Sequence, residues 1–187
     1  MKRTGRLLLS MNKINKRIIL SVLCIVVVVI LFGFYRYNSD VILVVNGEKI
    51  ENEEYEFLAS CSMPYLDTYS NQTYDLQTNK VLLIRAEQIL LKENGIIKTY
   101  EYAQFLEQQK DENEKRKKAL ESNQIIYGPK QYDKKVYFDY YYSECRNRFM
   151  NTIRMDTSKQ NNNRDDLNKV YADLLQKKAK ELSVVKK

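Results

Sequence analysis

Residues 79–94, NKVLLIRAEQILLKEN, decide the fold, because this stretch is apolar around most of its circumference when wound into a helix. Its first half is the most apolar part, and the apolar side chains recur at helical spacing: Val81, Leu82, Leu83, Ile84, Ala86, Ile89 and Leu90. A helix of this kind must be enclosed by other elements, so the pattern predicts a central position for it. Gly95 can adopt the left-handed conformation that ends such a helix, with Ile96 making the accompanying apolar contact.

Four further helices are predicted around the central one. Side chains that accept hydrogen bonds from first-turn N–H groups mark the starts of three of them. Asn52 caps the first, Thr99 caps a helix running to about residue 122, and Asp133 caps one running to about residue 153. The last helix is predicted over residues 165–182 from an apolar stripe at helical spacing, which is expected to be buried: Leu167, Val170, Tyr171, Leu174, Leu175 and Leu182.

A short β element is predicted just before the first of these helices. Residues 40–45 read DVILVV, a β-branched run, and Asn46-Gly47 is the strongest two-residue hairpin signal. Residues 48–50 are the expected returning strand. The predicted fold class is therefore all-α, that is mainly helical with a small β-hairpin at the start of the domain. An Asn-rich linker is predicted over residues 154–164, and residues 165–187 are predicted to close the domain as a C-terminal helix.

The composition argues against most catalytic chemistry. The chain of 187 residues contains no His, which excludes His-based acid–base catalysis, Ser-His-Asp arrangements and most catalytic zinc sites. The neighbouring carboxylates Asp111/Glu112 and Asp165/Asp166 are adjacent in sequence, so they do not pair on one helical face. We therefore predict a protein that is not an enzyme, with no catalytic, cofactor-binding or metal-binding residues.

The net charge of +7 is located at the amino terminus. Residues 1–36 hold seven basic residues and no acidic one, so the rest of the chain carries 31 − 7 = 24 basic against 24 acidic residues. The basic run at residues 114–118 lies beside Asp111, Glu112 and Glu121, as is typical of a solvated, ion-paired helix. The charge pattern therefore predicts no nucleic-acid partner.

A membrane anchor is predicted near the amino terminus. Residues 18–34 read IILSVLCIVVVVILFGF without a charge and would span roughly 26 Å as a helix. The segment 18–35 is therefore predicted to be a transmembrane signal anchor, with Arg17, Tyr35, Arg36 and Tyr37 as membrane-interface anchors. The basic residues 1–17 are expected in the cytoplasm and the bulk of the chain outside it. A cleaved signal peptide is the alternative, although no small-x-small cleavage site follows.

The three cysteines follow the same topology. Cys24 lies in the predicted span, whereas Cys61 and Cys145 would lie outside the cell, where disulfides persist. Neither spacing nor context specifies a pair. The sequence therefore leaves two alternatives for Cys61 and Cys145: two free, half-buried thiols, or a disulfide.

Two features together resemble a known family. The first is residues 44–55, VVNGEKIENEEY, which give a strand, an Asn-Gly turn and an acidic helix start. The second is a series of three segments in a fixed order: Phe105-Leu106, residues 112–119 and residues 126–132. This ordered combination resembles the amino-terminal chaperone domain of the SurA/PrsA/trigger-factor-like foldases, in a short Gram-positive form.

The resemblance implies a SurA-N-like helical domain over residues 41–153, in which long helices build an apolar cradle. A parvulin prolyl-isomerase module often follows in such proteins. Here only the linker separates residue 153 from the last helix, and no His is present. The isomerase module is therefore expected to be missing, with the last helix completing the chaperone domain.

The function expected from the resemblance is a membrane-anchored extracytoplasmic chaperone that holds unfolded or exported polypeptides without isomerase chemistry. A dedicated accessory or immunity-type partner of a membrane export system is the alternative, and a prolyl isomerase the remote one. Tyrosine combines a large apolar face with a polar tip, which suits a client-binding groove. Five aromatic residues are the candidates for this groove: Tyr102, Phe105, Tyr137, Tyr140 and Tyr141. The competing interpretation of each is that it packs in the core of the domain.

Overall fold

The computed structural model describes residues 22–27, 40–65, 73–156 and 164–187. The chain divides into two units, Met1–Val41 and Ile42–Lys187.

The first unit contains the predicted membrane anchor. Its described residues 22–27 form a helical segment, α1, whose side chains are exposed. The remainder of the predicted span 18–35 lies outside the described residues, as do Arg17, Tyr35, Arg36 and Tyr37. No helix among the residues that the structure describes has both the length and the apolar character needed to cross a bilayer.

From residue 41 onward the chain is mainly helical with a small sheet, which confirms the predicted class in its coarse form. The elements follow in the order β1 (Val41–Val45), β2 (Glu48–Glu51), α2 (Asn52–Ser60), α3 (Leu76–Glu93), α4 (Tyr102–Glu121), α5 (Lys134–Asp156), α6 (Arg164–Lys180) and β3 (Val184–Lys186).

The predicted hairpin forms, and a third strand joins it. Asn46 and Gly47 have φ of 51° and 83°, the two positive values that a type I′ turn requires. The strand order is β2-β1-β3, with β3 antiparallel to β1 and Val184 opposite Val45. The prediction that residues 165–187 form one helix is therefore wrong at its end. The backbones of Ser183 and Asn46 are hydrogen-bonded, and this long-range pairing has no local sequence signal.

The helix boundaries differ from the predictions by a few residues. Asp75 caps α3 by accepting the Thr78 N–H at 2.7 Å, so α3 begins before residue 79. Asn52 is the first helical residue of α2 rather than its cap. Thr99 lies before α4 and accepts the Glu101 N–H, whereas the predicted Asp133 cap of α5 is confirmed by its bond to the Val136 N–H at 2.8 Å.

Two other predicted boundaries can be compared with the structure. Gly95 has φ of 68°, and the Ile96 N–H donates to the Leu91 carbonyl at 2.9 Å, so α3 ends in the predicted left-handed motif. Helix α5 continues into the first residues of the predicted linker 154–164. Residues 157–163 of that linker lie outside the described residues.

Helix α3 is the centre of the domain, as its pattern predicts. Every side chain from residue 81 to residue 88 is buried, including the polar Arg85, Glu87 and Gln88. Helices α2, α5 and α6 all pack on it, with α6 making the most extensive contact. The enclosure of its middle turns explains why this part of α3 is apolar around most of its circumference.

Three buried polar side chains of α3, those of Arg85, Glu87 and Gln88, make hydrogen bonds or ion pairs with the surrounding helices. Arg85 pairs with Glu54 of α2, and the Gln88 amide donates to the Tyr142 hydroxyl of α5 at 2.9 Å. Glu87 accepts hydrogen bonds from Arg146 of α5 and from the Tyr171 hydroxyl of α6. These contacts fix the rotation of α3 relative to the three helices around it, since a buried polar group left unpaired is costly.

Helix α6 buries only part of its predicted stripe. Tyr171 and Leu175 are fully buried, while Leu167 and Leu174 are half-buried and Val170 is 40% exposed. Ala179 adds a further buried contact nearer the end of the helix. Fewer side chains of this stripe are therefore buried against the domain than the sequence predicts.

Candidate functional site

The five candidate residues belong to one continuous aromatic cluster at the junction of α2, α4 and α5. Ring centroids are 6.4 Å apart for Tyr102 and Phe105, 5.5 Å for Phe105 and Tyr137, and 6.0 Å for Tyr137 and Tyr141. Tyr140 joins through a sixth ring, that of Tyr132, which lies 5.3 Å from Tyr140 and 5.7 Å from Tyr137. Residues far apart in the sequence thus meet in a single aromatic layer.

Burial divides these five residues into two groups. Phe105 and Tyr137 are each only 6% exposed, so they pack in the core rather than line a surface. Tyr102 and Tyr141 are half-buried, and Tyr140 is 47% exposed. The candidate surface is therefore narrower than predicted, with Tyr140 as its most accessible member.

The hydroxyl groups of Tyr102, Tyr137 and Tyr141 are uncharged near neutral pH. Burial raises the pKa of Tyr137 to about 12, and it also raises the pKa values of Tyr102 and Tyr141. The Tyr102 hydroxyl donates to Glu53 at 3.2 Å and accepts from Lys134 at 3.4 Å. Tyr102 therefore links α2, α4 and α5, and its hydroxyl already makes two hydrogen bonds.

The connection between α4 and α5 is held against α4 by amide side chains. Gln109 and Asn113 both donate to the Tyr132 carbonyl, at 2.8 and 2.9 Å, and the Tyr132 N–H donates back to Asn113 at 2.8 Å. Because these bonds satisfy the backbone of Tyr132 on both sides, they set the position of its ring under Tyr140.

Arg116 fixes the preceding residues of the same connection. Its guanidinium donates to the carbonyls of Tyr127 and Pro129 at 3.0 and 2.8 Å and to the Tyr132 hydroxyl at 2.8 Å. It also lies 4.3 Å from the centre of the Tyr132 ring. Gly128, with φ of 83°, supplies the left-handed residue that this tight path requires.

The last turn of α4 and the first half of this connection present large apolar side chains to solvent. We define the tip as Leu120, Ile125 and Tyr127, which are 37%, 84% and 86% exposed. Leu120 lies in the last turn of α4, which ends at Glu121, and Asn123 then turns the chain with φ of 54°. Sequence reasoning did not select these residues. The available signal was an apolar run, Ile125-Ile126-Tyr127, directly before Gly128-Pro129.

A groove of about 570 Å³ lies along α4 beside the tip. Its lining mixes both signs of charge with the apolar side chain of Leu120: Gln109, Lys110, Asn113, Glu114, Lys117, Leu120, Glu121, Lys130 and Gln131. The groove is open to solvent along one helix face, as suits an extended or helical segment of polypeptide.

The exposed apolar side chains are concentrated in this region. From residue 40 onward, eight large hydrophobic side chains of the described chain are exposed, and Leu76, Val170 and Val185 are scattered over other elements. The other five lie between residues 120 and 140: Leu120, Ile125, Tyr127, Val136 and Tyr140. We call α4, the connection and the first half of α5 the arm.

Cys61, Cys145 and the acidic side chains form no metal-binding group in the described chain. Cys61 and Cys145 are both buried and free, and burial raises the pKa of Cys61 to about 12. Within residues 22–27, 40–65, 73–156 and 164–187, no group of three or more Cys, Asp or Glu side chains is placed to hold a metal ion.

No protein-family model, curated protein or solved structure matches this chain.

Proposed function

We propose that this chain is a membrane-anchored, extracytoplasmic polypeptide-binding protein of the chaperone type, without isomerase chemistry. The observation that supports the proposal most strongly is the exposure of three apolar side chains on the arm, namely Leu120 in the groove and Val136 and Tyr140 on α5. Large exposed apolar patches on a folded domain are typical of surfaces that bind other molecules. Within the arm, the client surface is the groove together with Val136 and Tyr140.

The predicted anchor provides the location in this proposal. Residues 18–34 carry no charge, and six of the seven basic residues within residues 1–36 lie before them. The described part of this stretch, α1, is helical with exposed apolar side chains such as Val22, Leu23 and Ile25. A helix that is apolar all round is suited to lipid. The domain that begins near residue 41 would then act close to the outer face of the membrane.

The proposed mechanism is transient holding of an unfolded segment. Tyr140 stacks on Tyr132 with 17° between the ring planes, so one face of an ordered ring remains available to an apolar client side chain. A stacked ring loses little rotamer freedom on binding, because its position is already fixed by Tyr132. The charges of both signs along the groove can pair with client charges without selecting one sequence.

A dedicated interaction protein of an export system is the second candidate. It is favoured by the order of the arm, whose connection is fixed by Arg116, Asn113 and Gln109. A preorganised surface binds one complementary partner with a small entropic cost. Suppression of aggregation across unrelated clients favours the chaperone, and saturable binding to a single partner favours this alternative.

We expect the full chain, reconstituted in nanodiscs, to suppress aggregation of several unrelated unfolded proteins in a light-scattering assay. Tyr140→Ser should weaken this activity several-fold because it removes the accessible ring. Val170→Ser is the matched control, since Val170 is similarly exposed on α6. Equal loss in both variants, or no suppression by the unmodified chain, would contradict the proposal.

A further inference from the structure

We infer that the tip is a second contact with the membrane, at which Ile125 and Tyr127 enter the interface of a lipid surface that carries anionic headgroups. The inference goes beyond polypeptide binding, and it rests on the proposed anchor only for holding the domain near the bilayer. The tip lies outside the client surface defined above except for Leu120, which borders both.

The shape of the tip favours lipid over polypeptide. Its two most exposed side chains, Ile125 and Tyr127, are not among those that line the neighbouring groove. The carbonyls of Tyr127 and Pro129 already accept hydrogen bonds from Arg116, so each has only one lone pair left for an incoming strand. A bilayer interface needs no complementary shape, and it favours side chains such as tyrosine that combine an apolar ring with a polar end.

The charge around the tip complements anionic lipid. Of the five basic residues in 115–130, Arg116 is paired with Glu112 and Lys117 with Glu121, whereas Lys115, Lys118 and Lys130 are exposed and supply the positive charge near the tip. Lys117 and Lys130 line the adjoining groove, and Lys118 is exposed in the last turn of α4. Lysine side chains can lay their apolar stems along the interface while the ammonium groups reach the headgroups.

The order of the connection makes this contact efficient. Arg116 holds the backbone on both sides of Gly128, so Ile125 and Tyr127 stay exposed instead of folding back on the domain. The tip therefore loses little conformational freedom when it enters the interface. With an anchor at one end and the tip as a second contact, the bilayer would restrict the orientation of the arm.

Single-tryptophan fluorescence tests this inference, because the chain contains no Trp. Tyr127→Trp and Ile125→Trp are introduced separately into the full chain, which is reconstituted in vesicles of phosphatidylcholine and phosphatidylglycerol. Leu76→Trp is the control, since Leu76 is 71% exposed on α3. Lipids with a quenching group near the headgroup should quench both tip tryptophans several-fold more than the control. Their emission should also shift to shorter wavelength, and the shift should weaken as salt rises or phosphatidylglycerol is omitted.

Each other outcome overturns the inference. Quenching at the tip no stronger than at residue 76 excludes a lipid contact. An emission shift that depends on protein density instead of the quenching lipid indicates a second copy, and one that appears only with added unfolded polypeptide indicates a client site. Retention of the chain in vesicles after an alkaline wash is measured separately. A chain that is not retained disproves the anchor. Quenching of the same chain after it is added to vesicles still tests whether the tip contacts lipid.

Discussion

Removing residues 164–187 should leave the rest of the domain unable to fold. These residues contribute the buried side chains Tyr171, Leu175 and Ala179, the hydrogen bond from Tyr171 to Glu87, and the strand that pairs with β1. Burying one large aliphatic side chain contributes about 1.5–3 kcal/mol, whereas a domain is stable by only about 5–15 kcal/mol. The truncated chain should show no cooperative thermal transition by circular dichroism.

A point substitution tests the same packing without changing the length of the chain. Leu175→Ala should reduce the free energy of unfolding by about 2–5 kcal/mol, because Leu175 is fully buried between α6 and α3. Val170→Ala, on the exposed side of α6, should cost much less. An unchanged unfolding midpoint in the truncated chain, or equal losses in the two variants, would show that α6 is an independent tail.

Replacing Arg146 by leucine should be the most damaging single change at a polar residue. Arg146 makes two hydrogen bonds to Glu87, at 2.7 and 3.1 Å, and the Glu87 side chain is only 1% exposed. Arg146→Leu therefore leaves a buried carboxylate without its charge partner, which costs about 3–5 kcal/mol. Denaturant unfolding at neutral pH measures the loss. Lys134→Leu, which breaks the exposed pair with Glu53, should cost under about 1 kcal/mol.

A second substitution separates the buried charge from lost packing. Adding Glu87→Gln to Arg146→Leu removes the charge but keeps an oxygen that can accept from Tyr171. We expect the double variant to recover most of the stability that the single variant loses. If the double variant is no more stable than Arg146→Leu alone, burial of an unpaired carboxylate is not the cause.

The parts of the fold that the sequence predicts well are those with local physical causes. The φ preferences of Asn46 and Gly47 determine the hairpin turn, and Gly95 determines the end of α3. The enclosure of α3 follows from its own composition, because so apolar a helix is stable only inside a domain. Each of these features depends on residues within one or two turns of the chain.

The features that the sequence does not predict depend on long-range partners. Strand β3 forms because Val184 meets Val45, more than a hundred residues earlier. Likewise, Arg85 and Glu87 are charged residues, which are usually exposed, but Glu54 and Arg146 allow their burial. Local periodicity does not contain this information.

The candidate site shows the same division. Helical spacing selected aromatic residues that meet in one cluster, but it did not separate Phe105 and Tyr137 in the core from Tyr140 at the surface. That separation depends on how far α4 covers α5. The tip was missed because exposed apolar residues in a turn differ from a core segment only once the fold is known.

Site-specific photo-crosslinking tests most directly the claim that the arm binds unfolded polypeptide outside the membrane. A photoreactive residue replaces Tyr140, or Val170 as the control, in the full chain produced in bacteria with an exported reporter that is unable to fold. We predict adducts between residue 140 and this reporter, few from residue 170, and none with the same reporter lacking its signal peptide. Equal yields from the two positions, or adducts with the non-exported reporter, would contradict the proposed function.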